Sequence, residues 1–306
     1  MRISVPSFRS SILKWVALST LLILFFAAQS GKAQSLGYEG PTGIFVTPLA
    51  YTAASPAKGI GNPVVAYHFL AAGPVIGDFS TVSVTEGFAK RFEIGYTGEI
   101  HAAGDSKAFS SLWGSGFTVL HGKAVLIPEN LGKHNWVPSV AIGAIGRLNV
   151  ENVSYFGLTT KAPEKNADFY AVATKVITQT KKLPIILNVG VRGTNASLWG
   201  LGGNAPDFTA RAFGAVAFVI TGPKKSSIIL GSEVAQQPQR IYGFGPKFGT
   251  ANLDIPTSID YAARIVPFAK KKFNVDLGIL QAAGVVAPGI DLQARARFAF
   301  GISYGF

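Results

Sequence analysis

Cysteine is absent from the 306 residues, which excludes disulfide staples, thiol nucleophiles, zinc–thiolate sites and a lipid-modified amino-terminal cysteine. Charge is sparse: Asp, Glu, Lys and Arg together supply 14% of the chain, a composition unlike that of disordered polyelectrolytes. Long apolar runs are missing beyond the first thirty residues. The longest, residues 212–220, has nine residues, which is strand length, whereas a membrane helix needs about 20. Helical periodicity does not persist there either. Histidine occurs only as His68, His101, His121 and His134, with no H-x-x-x-H spacing, so neither a metal site nor a cofactor is expected.

What is present begins with an export pattern. Arg2, Arg9 and Lys14 precede the 14-residue apolar run 15–28, and Gly31 and Ala33 are small residues placed for a signal peptidase. Residues 1–33 are therefore expected to be a cleaved signal, since the run is too short to remain as an anchor. Removing it leaves 24 basic against 16 acidic residues, a net charge of +8. That excess favours anionic partners such as lipid phosphate, lipopolysaccharide, acidic polysaccharide or an anionic solute. Nucleic acid is not expected as a partner, because the basic residues are scattered and the chain is exported.

The remainder alternates with the period of a strand. Phe92, Ile94, Tyr96 and Ile100 oppose Arg91, Glu93 and Glu99, and the pattern returns around residues 185–191, 259–265 and 273–279. Twelve strands are expected near 64–70, 79–85, 91–100, 115–126, 137–147, 168–178, 184–193, 208–221, 226–236, 257–267, 272–281 and 293–306. Connections starting at 86, 179, 222 and 268 are short; those starting at 101, 148, 194, 237 and 282 are long and rich in Gly, Asn, Ser and Pro, with the one at 127 intermediate. Short turns at one end and long loops at the other are the habit of outer-membrane barrels. The fold expected is all-β, a transmembrane antiparallel up-and-down barrel of about 12 strands (10–14) over residues 63–306, in the cell outer membrane. Residues 34–62 are broken by Gly and Pro and are expected to form a periplasmic or lumenal segment.

The chain's last residues, Phe298, Phe300, Gly301, Ile302, Tyr304 and Phe306, resemble the carboxy-terminal insertion signal of bacterial outer-membrane β-barrels, with Ala299 as a departure from the usual polar residue. The resemblance implies recognition by the barrel assembly machinery. Within residues 36–50, Gly40-Pro41-Thr42-Gly43 and Thr47-Pro48-Leu49-Ala50 resemble elements near the start of barrels associated with exopolysaccharide production.

If the apolar faces meet lipid, Arg91, Glu93, Glu99, Arg192, Arg211, Asp260, Arg264, Asp276, Arg295 and Arg297 face the lumen, because a basic residue at the lipid midplane costs about 2–4 kcal/mol. Two functions fit such an interior. One is a narrow passive channel or translocation component for small hydrophilic or anionic solutes. The other is a closed structural or surface-binding barrel whose long loops meet polysaccharide, lipopolysaccharide or a partner protein. An enzyme is not expected; an envelope lipid hydrolase or acyltransferase would have to use His101 with Ser106, Ser110 or Ser111. The glycine groups at 200–203 and 243–248 lack a strand–loop–helix context and read as loops.

Overall fold

The computed structural model describes residues 35–306 apart from 107–112, 115, 149–153, 156–157, 160–164, 181–182, 197–203, 243–249 and 268–272. The expected signal 1–33 lies outside the described residues.

Twelve strands close into one barrel: β1 (Val64–Ala71), β2 (Gly77–Phe88), β3 (Phe92–Ala103), β4 (Thr118–Ile127), β5 (Ser139–Leu148), β8 (Lys165–Ile177), β9 (Ile185–Ala196), β10 (Asn204–Thr221), β11 (Ser227–Ala235), β14 (Ser258–Val266), β15 (Phe273–Gln281) and β18 (Arg297–Gly305). Each barrel strand pairs antiparallel with its neighbours in chain order, and β18 closes the ring on β1, with Val64 opposite Gly305 and Leu70 opposite Ala299. The remaining strands form three two-stranded hairpins in the long connections: β6 (Ser154–Tyr155) with β7 (Leu158–Thr159), β12 (Arg240–Tyr242) with β13 (Thr250–Asn252), and β16 (Ala283–Ala287) with β17 (Ile290–Ala294).

Alternation decides which face is which. Phe92, Ile94, Tyr96, Ile100, Val189, Tyr261, Ile279 and Phe298 are exposed on the outer wall, while Glu93, Thr97, Glu99, Asn188, Arg192, Asp260 and Asp276 are buried inside it. Closure leaves no strand edge, so the backbone of the wall is satisfied within the ring, which is what lipid requires. An apolar wall around a polar interior makes this an outer-membrane barrel. Between barrel strands, the intervals at the end that carries Val64 and Gly305 are 89–91, 128–138, 178–184, 222–226 and 267–272, and those at the other end are 72–76, 104–117, 149–164, 197–203, 236–257 and 282–296, so the longest intervals gather at the second end although 72–76 and 197–203 are short. The short-turn end is the periplasmic one by the general rule.

Ser35 to Ala53 do not join the wall. Nearly every one of them is buried, and they are folded inside the ring. Residues 54–63 then lead out at the short-turn end, where Gly61 N–H donates to Gly87 O at 2.8 Å, and enter β1.

Candidate functional site in the barrel lumen

A twelve-stranded ring is too wide to be filled by wall side chains alone, and here residues 35–53 fill it. Their Gly- and Pro-broken sequence pairs with itself only in isolated bridges, Leu36 with Thr42 and Gly43 with Pro48, and a few turn bonds such as Tyr38 N–H to Phe45 O at 2.7 Å, so its other backbone groups need partners from the wall. Those partners are supplied in order along the segment. Thr81, Thr97 and Thr85 hydroxyls donate to the carbonyls of Tyr38, Glu39 and Gly40 at 3.0, 2.9 and 2.8 Å. Gly40 has φ +103°, and a Cβ there would lie 2.5 Å from Thr97 Oγ1, so this close approach requires glycine.

Charged wall residues hold the next stretch. Glu93 accepts from Thr42 N–H at 3.0 Å, Thr42 Oγ1 at 2.6 Å and Ala53 N–H at 2.8 Å. Lys123 pairs with Glu93 at 2.8 Å and donates to Thr42 O at 2.9 Å and Tyr51 O at 2.8 Å. Across the lumen, Arg264 is held by Asp276 at 2.7 Å and donates to Gly43 O at 3.1 Å and to Ile44 O. Glu233 accepts the successive N–H groups of Phe45 and Thr47, both at 2.6 Å, that of Val46 at 3.1 Å, and the Thr47 hydroxyl. Asn188 donates to Pro48 O at 3.1 Å, Thr174 accepts from Ala50 N–H at 2.7 Å, and Ser139 donates to Ala50 O at 2.6 Å.

The segment contributes one charge to this network. Glu39 takes a bidentate grip from Arg147, at 2.6 and 2.9 Å, and Arg147 also donates to Asp168 at 3.1 and 2.9 Å and to Asn166 at 3.1 Å. Arg147 is fully buried. Two tyrosines of the segment serve as donors: burial, then the neighbouring Glu99, raises the Tyr38 phenol well above its ordinary range, and burial with Glu129 does the same for Tyr51. Both hydroxyls keep their protons and reach those carboxylates at 3.3 and 3.0 Å. His68, fully buried, packs against the rings of Tyr38 and Phe45, and its wall neighbour Gly301 leaves the room it occupies.

The outer mouth is covered differently. Trp113 and Phe117, Leu253 and Ile255, and Val286 and Leu292, from three long connections, form one apolar cluster with Phe79, Tyr38 and Phe45.

Among the residues expected in the lumen, Glu93, Glu99, Arg192, Arg264, Asp260 and Asp276 line it, and Arg211 is half-buried on the same inward face of β10. Asp260 lies directly opposite Glu233, buried on the same inward face. Arg91 departs from the expectation. It belongs to the turn before β3, where positive φ at Ala89 and Lys90 ends the alternation, and it donates to Val125 O and Leu126 O at 3.2 Å. Arg295 also departs: positive φ at Gln293 and Ala296 breaks the strand there, so Arg295 sits exposed on a connection, paired with Asp291 at 2.8 Å. Arg297 begins β18 and donates to Gln293 O at the rim. Phe298, Tyr304 and Phe306 are exposed, Phe300 and Ile302 half-buried, and Gly301 buried. The rings of Tyr304 and Phe306 meet edge-on at 5.1 Å. Lys123, Arg147, Asp168 and Glu233 escaped the sequence reading, although each occupies an inward position of its strand.

His101 is engaged by backbone carbonyls. Its two ring nitrogens lie 2.9 Å from the carbonyls of Gly114 and Ile76, and its ring stacks on Phe79 at 4.5 Å. Ser110 and Ser111 lie outside the described residues, as do the glycines at 200–203 and 243–248.

The class is thus that of an outer-membrane β-barrel with an occupied lumen. No family model matches the chain, and no curated protein matches it. Among solved structures it is similar to the KdgM porin, at 11% identity over 79% of this chain and 99% of that one, with a TM-score of 0.43. An outer membrane channel from Pseudomonas putida F1 is similar at 12% identity over 82% and 96%, with a TM-score of 0.45. The beta domain of the Bordetella autotransporter BrkA is similar at 12% identity over 81% and 100%, with a TM-score of 0.37.

Proposed function

We propose that this barrel is a passive, non-enzymatic channel for small hydrophilic or anionic solutes, closed at rest by residues 35–53. The observation that carries this reading is the chemistry of the contact. The segment is held by wall carboxylates, guanidiniums and hydroxyls, through bonds that water and ions replace, whereas a permanently filled interior is served by apolar packing. With the segment withdrawn, the exposed wall is a charged, hydratable surface that selects by sign and size. Tyr38 and Phe45 belong to the cluster that covers the outer mouth, so withdrawal also removes the floor of that cover.

The test is conductance in a planar bilayer. The intact chain is expected to stay closed, and a variant lacking residues 35–53 is expected to show discrete conductance steps. A lock supports the same reading: in a chain without cysteine, Ala50→Cys with Thr174→Cys joins positions already linked by a 2.7 Å hydrogen bond, and only reduction should let voltage or denaturant open it. A correctly folded deletion variant that never conducts would leave the closed, loop-displaying barrel as the function.

A further inference from the structure

The outer half of the lumen carries a row of charges on β5, β8, β9 and β10. Pairing places Asp168 beside Thr194 and sets Arg192 directly opposite Arg211. The carboxylates nearby are already engaged. Asp168 is held twice by Arg147 and reached by Arg192 Nη1 at 3.4 Å, and Glu39 is gripped by Arg147. Glu99 stands on β3 against Tyr38, with β4, β5 and β8 between it and β9. Among the described residues Arg211 has no ion pair.

Two guanidiniums on facing positions, with Cβ atoms about 4.5–5.5 Å apart, repel one another. One rung further out Thr209 faces Thr194. Arg192 Nε, Arg211 Nε and Thr209 Oγ1 are all shielded from solvent and lack a hydrogen-bond partner, in a class of molecule where buried donors are nearly always satisfied. Three unmet donors on two adjacent rungs share one inward face. Arg192 is only 6% exposed, while Arg211 and Thr209 are half-buried and mark the side from which a solute reaches the patch.

We propose that Arg192, Arg211 and Thr209 form a binding site for one oxyanion, the carboxylate or phosphate group of a small hydrophilic solute. Each guanidinium keeps an unpaired Nε–H, a donor with which arginine grips planar or tetrahedral oxyanions, and the anion relieves the repulsion between the pair. Because the patch faces the lumen and not the lipid, its occupant is a free solute. The inference does not depend on conduction, so a failed bilayer experiment leaves it standing.

It is tested by calorimetric titration of the full exported chain, folded in a neutral maltoside detergent, with inorganic phosphate and with acetate at constant chloride. One saturable site per barrel is expected. Arg211→Gln, whose half-buried position tolerates the change, should weaken phosphate binding at least tenfold, and Thr209→Val about threefold, whereas Lys224→Gln at the far end should leave it unaltered. Heat-modifiable gel migration confirms that each variant is folded. Binding that does not saturate, binding equally tight in Arg211→Gln, or displacement of phosphate by phosphatidylglycerol micelles would overturn the assignment.

Discussion

Arg147 shows how one residue can decide the interior. Its guanidinium satisfies two carboxylates from different parts of the chain, Glu39 in the lumenal segment and Asp168 on β8, and removing it leaves Glu39 buried without its cation and Asp168 with only the longer contact to Arg192 at 3.4 Å. Breaking a buried pair from one side costs about 3–5 kcal/mol, so Arg147→Ala is expected to lower the unfolding free energy of refolded protein by that margin, seen as a lower urea midpoint. Arg147→Lys should recover only part of the loss, since an ammonium cannot serve two carboxylates with a planar fork. The inward direction of Glu93 or Asp276 is legible in the sequence because bulky apolar residues stand on both sides of each. Arg147 is harder to read: the inward positions before it are Ser139, Ala141, Gly143 and Ile145, which look no more polar than the outward ones.

Elements fail or hold through their ends and their seats. The β2–β3 turn places Ala89 and Lys90 at φ 49° and 56°, a conformation that costs ordinary residues roughly 1–2 kcal/mol each and that Asn-Gly adopts readily. Ala89→Asn with Lys90→Gly is expected to raise stability by about 1 kcal/mol, seen as a higher urea midpoint, with the Lys90 N–H still donating to Ser55 Oγ at 2.8 Å. The lumenal segment is an element of another kind, with only two isolated bridges of its own and seated by contacts with the wall. Glu233→Ala strips the acceptor from the N–H groups of Phe45, Val46 and Thr47, each left unpaired at about 1–3 kcal/mol. Hydrogen exchange at those three amides should accelerate while the amides of β10 and β11 stay protected; acceleration throughout the wall would mean that segment and barrel are one cooperative unit.

At the scale of the whole molecule, the ring of pairings from β1 round to β18 is complete without residues 35–53. The deletion variant should therefore keep its strand signal in circular dichroism and its heat-modifiable migration even as it conducts. The sequence by itself determined the ring: period-two alternation, the absence of any helix-length apolar run and the phase of loop lengths are local properties, and they place all twelve barrel strands and the lipid-facing side of those that alternate clearly, such as β3, β9, β14, β15 and β18. Alternation carries no information past a residue of positive φ, which is why it overran at Arg91 and Arg295. What the tertiary structure alone decided is the content of the lumen. Whether residues 35–53 hang below the barrel or fill it depends on Glu93, Glu233, Arg264 and Arg147 meeting that segment from four sides, partners 40 to 221 residues away in sequence. No local pattern encodes such a meeting, because a backbone that pairs with itself at only a few points takes its other partners from wherever the closed ring presents them.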